Sequence, residues 1–143
     1  MENHPTNPIY SVQFTIPDNA IDQIGHVNNV MYVQWMQELA VSHYEFVGGT
    51  APMQTAGGIW VVREHRIEYL LPAFAGEEVE AQTWVVNIRR VRSLRKYRFV
   101  RKSDSQVLVK GETDWVFVDV KSGQPRRIPE EVAKVFTLLP ESG

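Results

Sequence analysis

Four long runs rich in Val, Ile, Trp, Tyr and Phe follow one another in the second half of the chain. They extend from Ile59 to about Leu70, from Glu77 to about Arg90, from Ser93 to Lys102 and from Gln106 to Val120. Such runs favour extended backbone, and the links carry turn formers: Pro72-Ala73, Ser103-Asp104-Ser105 and, after the last run, Lys121-Ser122-Gly123. A shorter run precedes them, in which Tyr10, Val12, Phe14 and Ile16 alternate with Ser11, Gln13 and Thr15. That period of two marks a strand with one buried face, ended by Pro17-Asp18-Asn19. Long consecutive strands are joined most simply as an antiparallel meander.

Only one long helical run stands among these strands. From about Val30, the residues Met31, Trp35, Leu39 and Phe46 recur at helical spacing beside Val30, Tyr32 and Val33, until Gly48-Gly49. A helix apolar over more than half its circumference packs against a sheet. Asn28 or Asn29 suits its N-cap. Residues 50–58 read as a loop, and Pro129-Glu130-Glu131 opens a short terminal helix with Pro at N1. Residues 1–8, with two prolines and two asparagines, read as a loose arm. The expectation is an α+β single domain over residues 1–143, with a curved antiparallel sheet around one long helix.

Composition narrows the function classes. A formal charge of −2 gives no strong positive field, so a nucleic-acid partner is not expected. The absence of cysteine removes disulfides, thiolate metal sites and a Cys nucleophile together. No apolar run approaches the ~20 residues needed to span a bilayer, so no membrane partner is expected. The polar start carries no signal-peptide core, so a cytoplasmic location is expected.

One stretch stands apart. Asp22-Gln23-Ile24-Gly25-His26-Val27-Asn28-Asn29 is polar and lies between a buried strand and a buried helix. A helix start offers unpaired N–H groups that can polarise a carbonyl, and a carboxylate just before them can attack it or activate water. Read alone, Asp22 fits a turn or cap equally well. His26 fits a structural hydrogen-bonding role, and Gly25 a positive φ.

The segment, with Tyr32 and Trp35 after it, resembles the D-x-x-G-H-V-N-N-x-x-Y-x-x-W signature of hotdog-fold acyl thioesterases, specifically the 4-hydroxybenzoyl-CoA thioesterase-like group. The resemblance continues through Val61-Val62-Arg63, Ile67-Glu68-Tyr69, Pro72-Ala73 and Gly76-Glu77-Glu78-Val79. It implies an acyl-CoA thioesterase that needs no metal or redox cofactor. Asp22 matches the catalytic acid, nucleophile or general base. Asn29 matches the residue whose N–H polarises the thioester, and Gly25 the glycine that lets the loop pass close to it. His26 aligns with the histidine of plant acyl-ACP thioesterases. The asparagine of that plant-type motif is Ile24 here and its cysteine is absent, so no Cys-type mechanism carries over. The resemblance also implies a homodimer or homotetramer with sites between subunits, and a long unpaired edge strand independently favours a partner copy.

Arg89, Arg90 and Arg92, with Arg95 and Lys96, form a basic cluster at a strand turn. They fit CoA phosphates, and they fit a solvated hairpin as well. His43, His65, Glu64 and Glu68 read as structural or solvent-facing, and Glu38 is the secondary carboxylate. Trp60, Trp84 and Trp115 fit the core, an interface or an acyl pocket. An acyl-ACP thioesterase and a non-catalytic acyl-thioester binding module remain the alternatives.

Overall fold

The computed structural model describes residues 2–141. Strand β1 (Tyr10–Thr15) is followed by helix α1 (Asn29–Phe46) and a short helix α2 (Thr50–Ala56). Four long strands come next: β2 (Gly58–Tyr69), β3 (Glu78–Ile88), β4 (Arg92–Arg101) and β5 (Val107–Asp119). A last turn of helix, α3, covers Glu130–Ala133. The strands form one antiparallel sheet in the order β1-β3-β4-β5-β2. One face of the sheet holds α1, the hotdog arrangement expected from the resemblance.

The meander holds only for β3, β4 and β5. Strand β2 does not pair with β3, its neighbour in sequence, but closes the far edge against β5. The link between them explains why. Residues 70–77 include Pro72 and are too long for a tight hairpin, for which ~2–5 residues suffice. They run past the start of α1, where the Ala73 carbonyl accepts from Val27 N–H at 2.8 Å. They then reach the β1 side, where Gly76 N–H donates to the Ile16 carbonyl.

Helix α1 buries a stripe of Tyr32, Met36, Leu39, Ala40 and His43. These side chains meet the inner sheet face, where Val79, Ala81, Tyr97, Phe99 and Val109 are buried. The spacing of four, three, one and three residues traces a single helical face. Val30 and Val41 on the opposite side are exposed in the isolated chain, so the helix is half-covered rather than enclosed.

Segment 50–58 differs from the expected loop. Pro52 sits in the first turn of α2, where its missing N–H would have no helical partner, so proline does not exclude a helix there. Pro129 is the N-cap of α3 rather than its first helical residue. Residues 2–8 carry no helix or strand, but the Asn3 amide bonds both backbone groups of Ser11, each at 2.7 Å. No helix among the described residues is long and apolar enough to cross a membrane.

Candidate active site

The 22–26 segment is a closed loop fixed at the start of α1. An isolated bridge between Ile21 and Val27 pinches its base, and Asp22 N–H donates to the His26 carbonyl at 2.9 Å. Gly25 turns the chain with a φ of +92°, a conformation that costs a residue with Cβ. Val27 and Asn28 then anchor the exit, donating to the Ala73 and Ala20 carbonyls. The loop is therefore held on both sides by backbone bonds to neighbouring segments.

Asn28 is the N-cap: its Oδ1 accepts from Val30 N–H at 3.0 Å. Asn29 is thus the first helical residue, and among the described residues its N–H has no acceptor. Here the positive end of the helix dipole meets solvent. Asp22 Oδ1 accepts from Ile24 N–H at 3.0 Å, an Asx turn that orients the carboxylate. Its Oδ2 has no partner among the described residues. A half-exposed carboxylate thus sits in the pinched loop that leads into an exposed helix N-terminus.

His26 stands over Phe74, with ring centroids 6.4 Å apart and the rings edge to face. Its ring makes no hydrogen bond to the described residues. Tyr32 packs against Trp35, Tyr69 and Phe99, and burial, then Glu77, push its hydroxyl up to about 12. Tyr69, at the end of β2, donates to the Asn29 carbonyl at 3.3 Å, a contact the sequence reading did not single out. It ties the last residue of the edge strand to the start of α1. Glu38 lies on the exposed side of α1, where it accepts from Gln34 at 3.0 Å.

The basic cluster divides. The turn carrying Arg89 and Arg90 closes the end of the sheet opposite Asp22, because Asp22 lies beside the start of β3 and the turn lies at its end. Within one chain these arginines do not join Asp22. Arg92 is bound to Asp114, which also holds Arg63 at 3.1 Å. Lys96 faces outward between Glu112 and Glu141. Arg95 corrects the solvated-hairpin reading: it is 4% exposed and points to the helix side of the sheet. Strand parity carries that signal, since Arg95 shares a face with Tyr97 and Phe99.

Around Arg95 lies a cavity of about 220 Å³. Its walls come from the last turns of α1 (Ala40, Tyr44), from Trp60, Trp115 and Phe136, and from Met53 of α2. Trp84 is elsewhere, on the outer face with Arg98 above its ring. His65 bonds Thr113 at 2.8 Å on the inner face. Among the described residues no group of three or more His, Cys, Asp or Glu side chains could hold a metal ion.

Comparison with known proteins agrees with the fold. Residues 16–136 match the family model of the thioesterase-like superfamily. The chain belongs to that superfamily, and its class is that of hotdog-fold thioester hydrolases. It is 23% identical over 128 residues to the acyl-acyl carrier protein thioesterase ATL2 of Arabidopsis thaliana chloroplasts, covering 89% of this chain and 68% of that protein. The probable thioesterase YbaW of Escherichia coli superposes with a TM-score of 0.82 at 17% identity, covering 89% of this chain and 96% of that one. An acyl-ACP thioesterase of Bacteroides thetaiotaomicron gives 0.84 at 19% identity, over 97% of this chain and 57% of that one.

Proposed function

We propose that the chain hydrolyses acyl-CoA thioesters, with Asp22 as the catalytic carboxylate and Asn29 N–H as the group that polarises the carbonyl. The observation that supports the reading is the closed 22–26 loop, which carries Asp22, its Oδ2 unbonded among the described residues, just ahead of a helix whose first N–H has no acceptor. In the transition state the thioester oxygen gains negative charge. A preorganised N–H and the helix dipole stabilise that charge without reorganising.

Asp22 can act in either of two balanced ways. As a nucleophile it forms a mixed anhydride and expels CoA thiolate, and water then opens the anhydride. As a general base it takes a proton from water as the hydroxide adds to the carbonyl carbon, and that proton passes to the leaving thiolate. Gly25 keeps the loop close to the substrate without a side chain in the way. His26 stands at the rim as an auxiliary polar group.

The site is completed by a second copy. Strand β2 is an open edge of 12 residues, and Ile59, Val61, Val62 and Tyr69 along it are exposed apolar side chains. An unpaired edge of that length invites antiparallel pairing with its own copy, giving a homodimer with one continuous sheet. That pairing sets the β2 start of one copy beside the β2 end of the other. It also brings the partner's turn residues Arg89 and Arg90 toward the Asp22 side, where CoA phosphates can meet them.

Release of thiol from a panel of acyl-CoAs, followed with a thiol-reactive dye, tests the reading. A protein without cysteine contributes no background. Asp22→Ala and Asp22→Asn are expected to lose most turnover while keeping the fold. Near-wild-type turnover in either variant refutes the role of Asp22. Acyl carrier protein thioesters are the second reading, favoured by the name of the Arabidopsis relative and by exposed arginines that suit an acidic carrier. The same acyl group on both carriers separates the two. Binding of acyl-CoA without hydrolysis would instead leave a binding module.

A further inference from the structure

Arg95 is a buried cation without a counter-ion. Its Nη1 donates to His43 Nδ1 at 2.8 Å and to Thr83 Oγ1 at 3.1 Å. Among the described residues these are the only hydrogen-bond partners of the guanidinium, and no carboxylate lies within ion-pair distance. His43 does not share the charge: burial, and then Arg95 itself, hold its ring down to about 3, so it is a neutral acceptor. The Phe136 ring lies 5.8 Å from the guanidinium carbon, and Tyr44 and Tyr97 are the titratable neighbours. Glu45 also lines the cavity but is exposed and makes no ion pair with Arg95.

A guanidinium has five donors in a fixed fork, and two acceptors on Nη1 leave most of it unmet. Desolvating a charge without a partner is strongly unfavourable. Arg95 nevertheless sits in the wall of the apolar cavity. Trp115 also lines this wall, and its Nε1 is buried with no hydrogen-bond partner among the described residues. The cavity is therefore apolar along its sides, with the unmet guanidinium donors of Arg95 in its wall. That is the pattern of a site for an apolar chain ending in an anion.

We propose that this cavity is the acyl pocket, and that Arg95 pairs there with a carboxylate at the far end of the acyl group. The proposal rests on the thioesterase reading for the chemistry at Asp22. Cavity size fits an acyl chain rather than the whole of CoA, since about 220 Å³ is below the ~300–1,000 Å³ of sites for drug-sized ligands.

Geometry sets which chain supplies the pocket. Ile59 and Trp60 at the start of β2 line the cavity, whereas Tyr69 at its end touches Asn29. The ends of β2 are roughly 36 Å apart at ~3.3 Å per residue, too far for one acyl group. Antiparallel pairing of two β2 strands removes that separation. The Asp22 rim of one copy then faces the Arg95 cavity of the other.

Adipyl-CoA and suberyl-CoA, compared with hexanoyl-CoA and octanoyl-CoA, test the assignment. The wild type is expected to favour the diacid thioesters in kcat/KM by roughly ten- to a hundredfold, the range of a charge-assisted contact. Arg95→Met is expected to remove that preference. Mixing Asp22→Ala with Arg95→Met subunits is expected to restore about a quarter of wild-type adipyl-CoA turnover, because half the dimers carry one intact composite site. Equal or better hydrolysis of the unsubstituted acyl-CoAs by the wild type overturns the carboxylate assignment and leaves the thioesterase reading standing. Failure of the mixture to regain activity overturns the shared site.

A binding arm is independent of catalysis and of the variant's folding. Hexanoate is expected to raise the wild-type melting temperature and hexanamide is not. Equal effects of the two refute a carboxylate partner for Arg95. Absence of hydrolysis with any CoA thioester, together with hexanoate binding, would overturn the thioesterase reading alone.

Discussion

His43 offers a stability test that needs no substrate. Its ring is 4% exposed, stacks on Tyr10 at 5.1 Å and accepts from Arg95 at 2.8 Å. Burial disfavours the charged ring, and protonation would also place a second cation beside Arg95, so the folded value falls from 6.5 to about 3. In the unfolded chain the ring titrates normally, so the unfolded state binds one more proton between pH 6.5 and 3. Stability is unaffected above pH 6.5 and falls as pH drops below it, by about 1.4 kcal/mol per pH unit. Between pH 7.5 and pH 5 the loss from this one group is about 2 kcal/mol. His43→Asn supplies the control, because an amide oxygen can accept from Arg95 without titrating. Urea unfolding at both pH values, at one fixed protein concentration, gives the difference directly. The wild type is expected to lose about 2 kcal/mol more than His43→Asn over that interval. Parallel losses in the two proteins would refute the claim that His43 is held neutral against a buried charge.

Two further outcomes concern the edge strand. A Cβ on Gly58 would lie 2.2 Å from Cζ of the fully buried Phe117, so Gly58→Ala is expected to cost about 1–3 kcal/mol, read by thermal melting. An unchanged melting temperature would mean that the start of β2 does not press on that ring. Val61→Lys puts a charge on the open edge and is expected to shift the oligomer toward monomer in sedimentation velocity, with turnover falling alongside. A fully active monomer would refute a site shared between copies.

The strands and α1 were legible because their signals are local and periodic. Alternation from Tyr10 to Ile16 and the recurrence of Met31, Trp35 and Leu39 need no partner to be read. The placement of β2 was not legible, since nothing in Ile59 to Leu70 states which strand it will join. That choice is made by the 70–77 link and by its backbone bonds at the start of α1. Helix α2 was hidden by Pro52, which reads as a breaker until its first-turn position is known. The 22–26 loop was visible as a motif, but its closure depends on an Ala73 carbonyl far along the sequence. Arg95 was obscured by its company: four neighbouring basic side chains suggest a solvated surface, and only its parity with Tyr97 and Phe99 separates it from them.

The two unusual regions of this chain make sense only together. At one end, a carboxylate stands on an exposed loop just ahead of a free helical N–H. At the other, an apolar cavity with an uncompensated guanidinium has no chemistry beside it. Neither is an efficient solution for stability: an exposed apolar edge invites aggregation, and a buried unpaired cation opposes folding. In the proposed dimer, pairing along β2 would cover the edge and set each region against its complement. It would leave only the charge on Arg95 unmet, and an anionic acyl terminus would meet it on every turnover. The substrate would then stabilise the site it occupies, and release of the product would leave Arg95 unpaired again.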